Sequence, residues 1–254
     1  MTGRLDGKVA LVSGVSEGIG GAIARRFAAE GAKVACTGVQ MHLVEAVAGE
    51  ILEAGGEALA LELDVRSDDD WQAALDATIG AFGGFDVLVN NAGVLLLASV
   101  ADTTLAEFRR VFDVNAGGTF LGLRHAVLAM RPGGAAGKGG SIINLSSVAA
   151  NGAAVDHVAY GASKAAVAAM TRHAASECAA NGYAIRVNSI CPGVVQTGML
   201  VDTPENLEKC NGSHPLGLGT AGDVAAAAVY LAAEESRWVT GTELTIDGGW
   251  SVRP

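Results

Sequence analysis

The chain has 254 residues, with 17 Lys and Arg against 27 Asp and Glu, for a net charge of −10. Half of it is hydrophobic and 17 % is charged, which provides for a core and excludes disorder as the main state. No apolar run reaches the roughly 18 residues of a membrane span, and the acidic balance is a poor match for nucleic acid or anionic lipid.

The opening MTGRLDGKVALVSG lacks the basic, apolar and small-residue order of a secretory signal. Cys36, Cys178, Cys191 and Cys210 form no C-x-x-C pair, and buried, reduced thiols of a cytoplasmic protein are expected. No short His and Cys spacing suggests a metal site.

Residues 8–13 (KVALVS) predict a first strand, and 18–30 a helix with Ile19, Ile23 and Phe27 on one stripe. A strand over 33–37, a helix over 42–54, a strand over 58–64 and a helix over 68–82 follow. Residues 85–90 predict strand four, and 104–130 one long helix bent near Gly117 and Gly118. Then come a strand over 141–146, a helix over 157–181, a strand over 184–190, a helix over 221–233 and a last strand over 243–246. The strands are apolar on successive residues, as in parallel sheets buried on both faces. The fold class expected is therefore a doubly wound, Rossmann-type α/β sheet flanked by helices, one domain over 1–254. Residues 131–140 read as a surface loop. Residues 193–222 lack periodicity and follow a strand's C-terminal end, which marks them as a candidate substrate lid.

The first strand runs into Gly14-Val15-Ser16-Glu17-Gly18-Ile19-Gly20 and then a helix. Glycine permits a sharp turn, and a helix N-terminus offers free N–H groups to a pyrophosphate. Strand four ends in Asn90-Asn91-Ala92-Gly93, small enough for a ring system to cross the sheet edge, or simply an Asn-rich turn. Asp64 and Val65 end strand three; the carboxylate either accepts from an adenine amino group or caps the next helix. Tyr160 and Lys164 lie four apart on one helical face. A nearby cation is expected to lower the tyrosine pKa from about 10, toward acid–base work near neutral pH. Ser147 follows strand five and is placed to hold a substrate oxygen. Asn115 is placed to hold a water linked to Lys164. Alone, Tyr160 and Lys164 would read as a surface pair; with the other motifs they do not.

This set resembles the short-chain dehydrogenase/reductase family over nearly the whole chain, from Leu5 to Gly249. The resemblance implies a nicotinamide-dependent oxidoreductase with a catalytic tetrad Asn115, Ser147, Tyr160 and Lys164. By it, Tyr160 gives or takes the proton, Ser147 orients the substrate carbonyl, Lys164 binds the nicotinamide ribose, and Asn115 anchors a relay water. Pro192, Gly193, Val195 and Thr197 would contact the nicotinamide end. Ser13 and Gly198 depart from the family's usual threonine and proline. The resemblance also implies a homotetramer or homodimer.

The end of strand two reads Cys36-Thr37-Gly38-Val39-Gln40. Gly38 fills the usual acidic slot and Val39 the usual basic one. Glu17 occupies the other position for a phosphate-binding cation, so NAD is expected over NADP. Arg25 and His42 are the nearby cations. The substrate pocket is expected from Leu95, Leu96, Val148, Ala149, Asn151, His157, Val195, Met199 and Leu200. That mostly apolar set points to a lipophilic secondary alcohol or ketone, and residues 163–178 and 182–190 resemble bacterial hydroxysteroid and cyclic-alcohol dehydrogenases. A dinucleotide-binding regulatory protein, and a lyase or isomerase using its cofactor transiently, are the alternatives.

Overall fold

The computed structural model describes residues 3–198 and 212–252. Met199, Leu200 and Cys210 lie outside the described residues. Strands β1 (Val9–Ser13), β2 (Lys33–Gly38), β3 (Glu57–Glu62), β4 (Val87–Asn90), β5 (Gly140–Leu145), β6 (Ile185–Pro192) and β7 (Glu243–Ile246) form one sheet, ordered β3-β2-β1-β4-β5-β6-β7. Every pairing is parallel.

Alternation along the buried strands divides the core into two layers. Ala10, Val12, Val87, Val89 and Ile143 pack with Ile23 and Phe27 of α1 (Ile19–Ala29), Val47 of α2 (Met41–Glu53) and Leu231 of α7 (Ala221–Ala232). Leu11, Leu88 and Ile142 face Trp71 of α3 (Asp68–Phe82), Leu123 of α5 (Gly118–Met130) and Ala175 of α6 (Val158–Ala180). Covered on both sides, the central strands show continuous apolar runs.

Helix ends follow local chemistry. The Ser67 hydroxyl accepts from Asp70 N at 3.1 Å and caps α3, and Gly83 ends it with φ at 77°. Asp64 is therefore not that helix's cap. Thr104 and Glu107 form a capping box on α4 (Leu105–Phe112), as Thr220 and Asp223 do on α7. Helix α1 has no side-chain cap and no acidic residue in its first turn, so its N-terminal N–H groups face the turn that follows β1.

The region expected as one helix bent at Gly117 and Gly118 is built differently. A π-turn, Asp113–Gly117, joins α4 to α5 without leaving helical dihedrals. Gly118 serves packing instead: a Cβ there would come within 2.6 Å of Val65 Cγ2. The extra residue of the π-turn rotates Asn115 into the interior, where it is fully buried.

The order reverses between β1 and β4, which leaves a crevice at their C-terminal ends. The motifs after β1, β4, β5 and β6 all open onto that edge. In 193–222, the described parts are tied together: Gln196 N donates to Gly219 O at 3.0 Å and Gly219 N to Val194 O at 3.1 Å.

Candidate active site

The turn after β1 is held by its neighbour strand. Ser13 Oγ accepts from Asn91 N (3.1 Å) and Ala92 N (3.2 Å) and donates to Val89 O. The hydroxyl suffices here, so serine serves where threonine was the expectation. Asn91 Nδ2 donates to the Ser13 and Gly14 carbonyls at 2.9 and 3.0 Å. Gly14 sits at φ 68°, and a Cβ on it would meet Ala92 Cα at 2.7 Å, so only glycine fits. Asn91 and Ala92 thus shape the turn from behind, while Asn90 turns away and donates to Asn144 inside the core.

Across the crevice, Thr197 Cγ2 lies 3.7 Å from where a Gly18 side chain would begin. The loop after β6 therefore faces the N-terminus of α1. Between them is a glycine-lined cradle bounded by backbone N–H groups, which fits the pyrophosphate of a dinucleotide. Ser16 and Ile19 flank Gly18, and Glu17 is exposed beside it.

The end of β2 is less furnished. Gly38 is buried at the end of β2 and Val39 is 63 % exposed. Arg25 Nε contacts Glu50 Oε2 at 2.5 Å, and His42 is exposed in the first turn of α2. Asp64 is gripped by Arg66, whose hydrogen bonds hold its carboxyl below the usual range against the effect of burial. Val65 packs its side chain on Gly118, and its carbonyl accepts from Trp71 Nε1, so it offers a ligand only its backbone N–H.

The tetrad positions converge from three elements: the π-turn, the end of β5 and α6. Asn115 Oδ1 accepts from Val94 N at 2.8 Å, and its Nδ2 donates to Val94 O and Ser163 Oγ, each at 3.0 Å. Ser163 Oγ donates in turn to Tyr160 O at 2.7 Å. Lys164 Nζ donates to Leu145 O at 2.7 Å and lies 5.8 Å from the Tyr160 ring centroid. A Cβ on Gly93 would come 3.2 Å from Asn115 Oδ1 and 3.4 Å from Lys164 Nζ, so Gly93 borders both groups. Ser147 Oγ accepts from Ala149 N, and its hydroxyl favours the Tyr160 phenolate.

The expected water at Asn115 stays compatible with the structure, and one expectation, the Tyr160 pKa, changes. Both amide protons of Asn115 are committed to protein atoms, so the side chain has only acceptor capacity for a water. The Tyr160 pKa is not lowered by Lys164: burial raises it, opposed by the Ser147 hydrogen bond. Desolvation acts on both partners and outweighs the cation. Lys164 is itself pushed down to about 8 by burial, with Cys191 acting the other way.

Among the expected pocket residues, Ala149 and His157 line a groove of about 420 Å³ with Ala98, Val158 and Gly161. None of Asn115, Ser147, Tyr160 and Lys164 lines that groove, so it does not test the pocket expected from Leu95 and Val148; Asn151 donates to Glu243 Oε2. His157 Nδ1 lies 2.6 Å from Val155 O, and its ring stands edge-on to Tyr160. Ser163 was not singled out from the sequence. Its signal was a hydroxyl three residues after Tyr160 on an otherwise alanine-rich helix.

Among the described residues, no helix is long and apolar enough to cross a membrane. A family model described as enoyl-(acyl carrier protein) reductase matches residues 14–251. The chain is 42 % identical, over 98 % of its length and 91 % of the relative's, to a 3-alpha-(or 20-beta)-hydroxysteroid dehydrogenase of Mycobacterium bovis. It is 40 % identical, over the whole of both chains, to an NADP-dependent (R)-specific alcohol dehydrogenase of Lentilactobacillus kefiri. A crystal structure of a dehydrogenase/reductase from Sinorhizobium meliloti superposes with a TM-score of 0.89 at 37 % identity, covering 98 % of this chain and 96 % of that one. With a glycine cradle, a buried lysine beside a tyrosine, and relatives of this kind along its whole length, the chain belongs to the short-chain dehydrogenase/reductase family of nicotinamide-dependent oxidoreductases.

Proposed function

We propose that the protein interconverts lipophilic secondary alcohols and ketones, cyclic or steroidal ones foremost, with NAD as its preferred dinucleotide. The observation that carries this reading is the convergence of Asn115, Ser147, Tyr160 and Lys164 at the open sheet edge. The hydroxysteroid dehydrogenase relative supports the steroid class.

Gly14, Ser16, Gly18, Ile19 and Gly20 would hold the pyrophosphate, and Asp64 and Val65 the adenine. Asn91, Ala92 and Gly93 would border the nicotinamide ribose, with Pro192, Gly193, Val195 and Thr197 at the nicotinamide. The nicotinamide, when bound, accepts or supplies the hydride at the carbinol carbon. Tyr160 Oη takes the proton from the substrate hydroxyl in oxidation and returns it to the carbonyl oxygen in reduction. Ser147 Oγ donates a hydrogen bond to that oxygen and holds it beside the phenol. Lys164 would grip the ribose hydroxyls, and the Ser147 hydroxyl favours the phenolate while Tyr160 is deprotonated. Asn115 positions Val94 and Ser163, and through them the strand end and helix that present Tyr160. Residues 193–222 would close over the substrate as a lid.

NAD is favoured because the β2 end lacks a cation. Glu17 would repel a 2′-phosphate, and Arg25 is already paired with Glu50. The NADP-dependent relative shows why this must be tested. We further infer a cytoplasmic homotetramer or homodimer, supported by the exposed Leu105 and Phe120 on α4 and α5, which suit a helix-on-helix contact.

The test is fluorescence titration of cofactor-free protein with NADH and NADPH, then assay against cyclic and steroidal ketones. Tighter NADH binding and turnover of those ketones are expected. Tighter NADPH binding overturns the cofactor preference. Cofactor binding without turnover across secondary alcohols and ketones overturns the substrate reading.

A further inference from the structure

His214 is the one buried histidine near the crevice that the mechanism above does not use. It is 4 % exposed and follows the aperiodic segment after β6. Its Nε2 accepts from Val194 N at 3.1 Å, and its Nδ1 lies 3.0 Å from Ser213 Oγ. Since Val194 N is a donor, Nε2 holds the lone pair and Nδ1 the proton.

The surroundings lock this arrangement. A Cβ on Gly193 would lie 3.0 Å from His214 Nε2 and 2.9 Å from Asp247 Cα, so the ring fills the space glycine leaves. Gly217 N donates to His214 O, and Leu216 N donates to Gly248 O. The Val194 carbonyl accepts from Gly219 N. Both polar atoms of the Val194 backbone are thus held by residues 214–219, one through the imidazole. Val194 lies between Gly193 and Val195, three residues from Thr197, which faces Gly18.

We propose that His214 is a positioning residue that sets the Val194 backbone, and with it the 193–197 segment, for the nicotinamide half of the dinucleotide. The inference rests on the assignment of that segment to the nicotinamide. His214 touches neither substrate nor cofactor in this role. It supplies a fixed acceptor to a part-buried backbone N–H that would otherwise lose its partner. Its effect falls mainly on the ring-bearing half of the ligand, because the Gly14 wall of the pyrophosphate cradle is held separately by Ser13 and Asn91 and only Thr197 of the segment borders that cradle.

The experiment is a titration of wild type, His214→Leu and His214→Gln. The probes are the dinucleotide that wild type binds more tightly (NADH or NADPH) and ADP-ribose, which lacks the nicotinamide. His214→Leu should raise the dinucleotide Kd about tenfold, the loss of one part-buried hydrogen bond, while the ADP-ribose Kd stays within about twofold. His214→Gln, whose amide oxygen accepts from Val194 N, should recover most of the loss. If His214→Leu fails to fold, His214→Asn takes its place, since its shorter amide cannot span the distance. Equal losses for both probes, an unchanged dinucleotide Kd, or a glutamine variant as weak as leucine overturns the inference alone. Wild-type protein that binds neither NADH nor NADPH overturns the proposed function and this inference with it.

Discussion

Asn115 grips both backbone polar atoms of Val94 with a single amide: Val94 N donates to Oδ1 at 2.8 Å and Nδ2 donates to Val94 O at 3.0 Å. This ties the π-turn between α4 and α5 to the strand end after β4. A third bond, to Ser163, reaches α6 one residue from Lys164. Replacing Asn115 with Leu keeps the branched shape and strips all three bonds. Stability should fall by about 2–4 kcal/mol, from buried donors and acceptors left unpaired. Urea denaturation of the two proteins checks this; a loss under about 1 kcal/mol would show that Val94 finds other partners.

Tyr160→Phe removes one hydroxyl from a half-buried ring at the crevice. Turnover should drop by about 10²–10⁴, the usual span of a positioned acid–base group. Dinucleotide affinity and thermal midpoint should stay near wild type. Steady-state kinetics beside a binding titration separates these; undiminished turnover would remove Tyr160 from the proton transfer.

Cys36 is completely buried in β2, and burial pushes its thiol up to about 12, with Arg25 pulling it down. The unfolded chain gives up that proton near the ordinary value of 9, so the native state holds more protons between pH 9 and 12. Stability from Cys36 is therefore full below pH 9 and lost on the way to 12, at up to about 1.4 kcal/mol per pH unit. Lys164, lowered from 10.5 to about 8, works in the opposite sense: its contribution is present above 10.5 and lost as pH falls through 8. Cys36→Ala should flatten the alkaline limb by about one proton while leaving the Lys164 slope. Denaturation at several pH values between 8 and 10.5 reads both; identical alkaline slopes would mean the Cys36 thiol is not held up by burial.

The double variant Val39→Arg, Glu17→Lys places cations where this chain has an exposed apolar side chain and an exposed carboxylate. The ratio of kcat/KM for NADPH to that for NADH should rise roughly tenfold to a hundredfold, the worth of one or two charge-assisted hydrogen bonds. An unchanged ratio would place the adenosine ribose away from the β2 end.

Much of the fold was legible because its signals are local. Continuous apolar runs mark strands covered on both faces, and α3 and β7 fall on the expected residues. The β3 boundaries drifted: it covers Glu57–Glu62, not 58–64. The π-turn at Asn115 left no trace, since a change from i+4 to i+5 bonding needs no special residue. Glycines 117 and 118 suggested a bend, but Gly118 answers to Val65, far away in sequence. The tyrosine pKa was misjudged for a similar reason. A four-residue spacing reports a neighbour, whereas burial depends on everything packed around the ring.

By itself the sequence determined the β-α alternation, the glycine turn after β1, and the shared helical face of Tyr160 and Lys164. Each rests on a period or spacing within a few residues. Only the tertiary structure decided that Thr197 faces Gly18, that Asn115 holds Val94, and that His214 holds Val194. Those meetings join segments separated along the chain, where side-chain packing, and no local pattern, selects the partner.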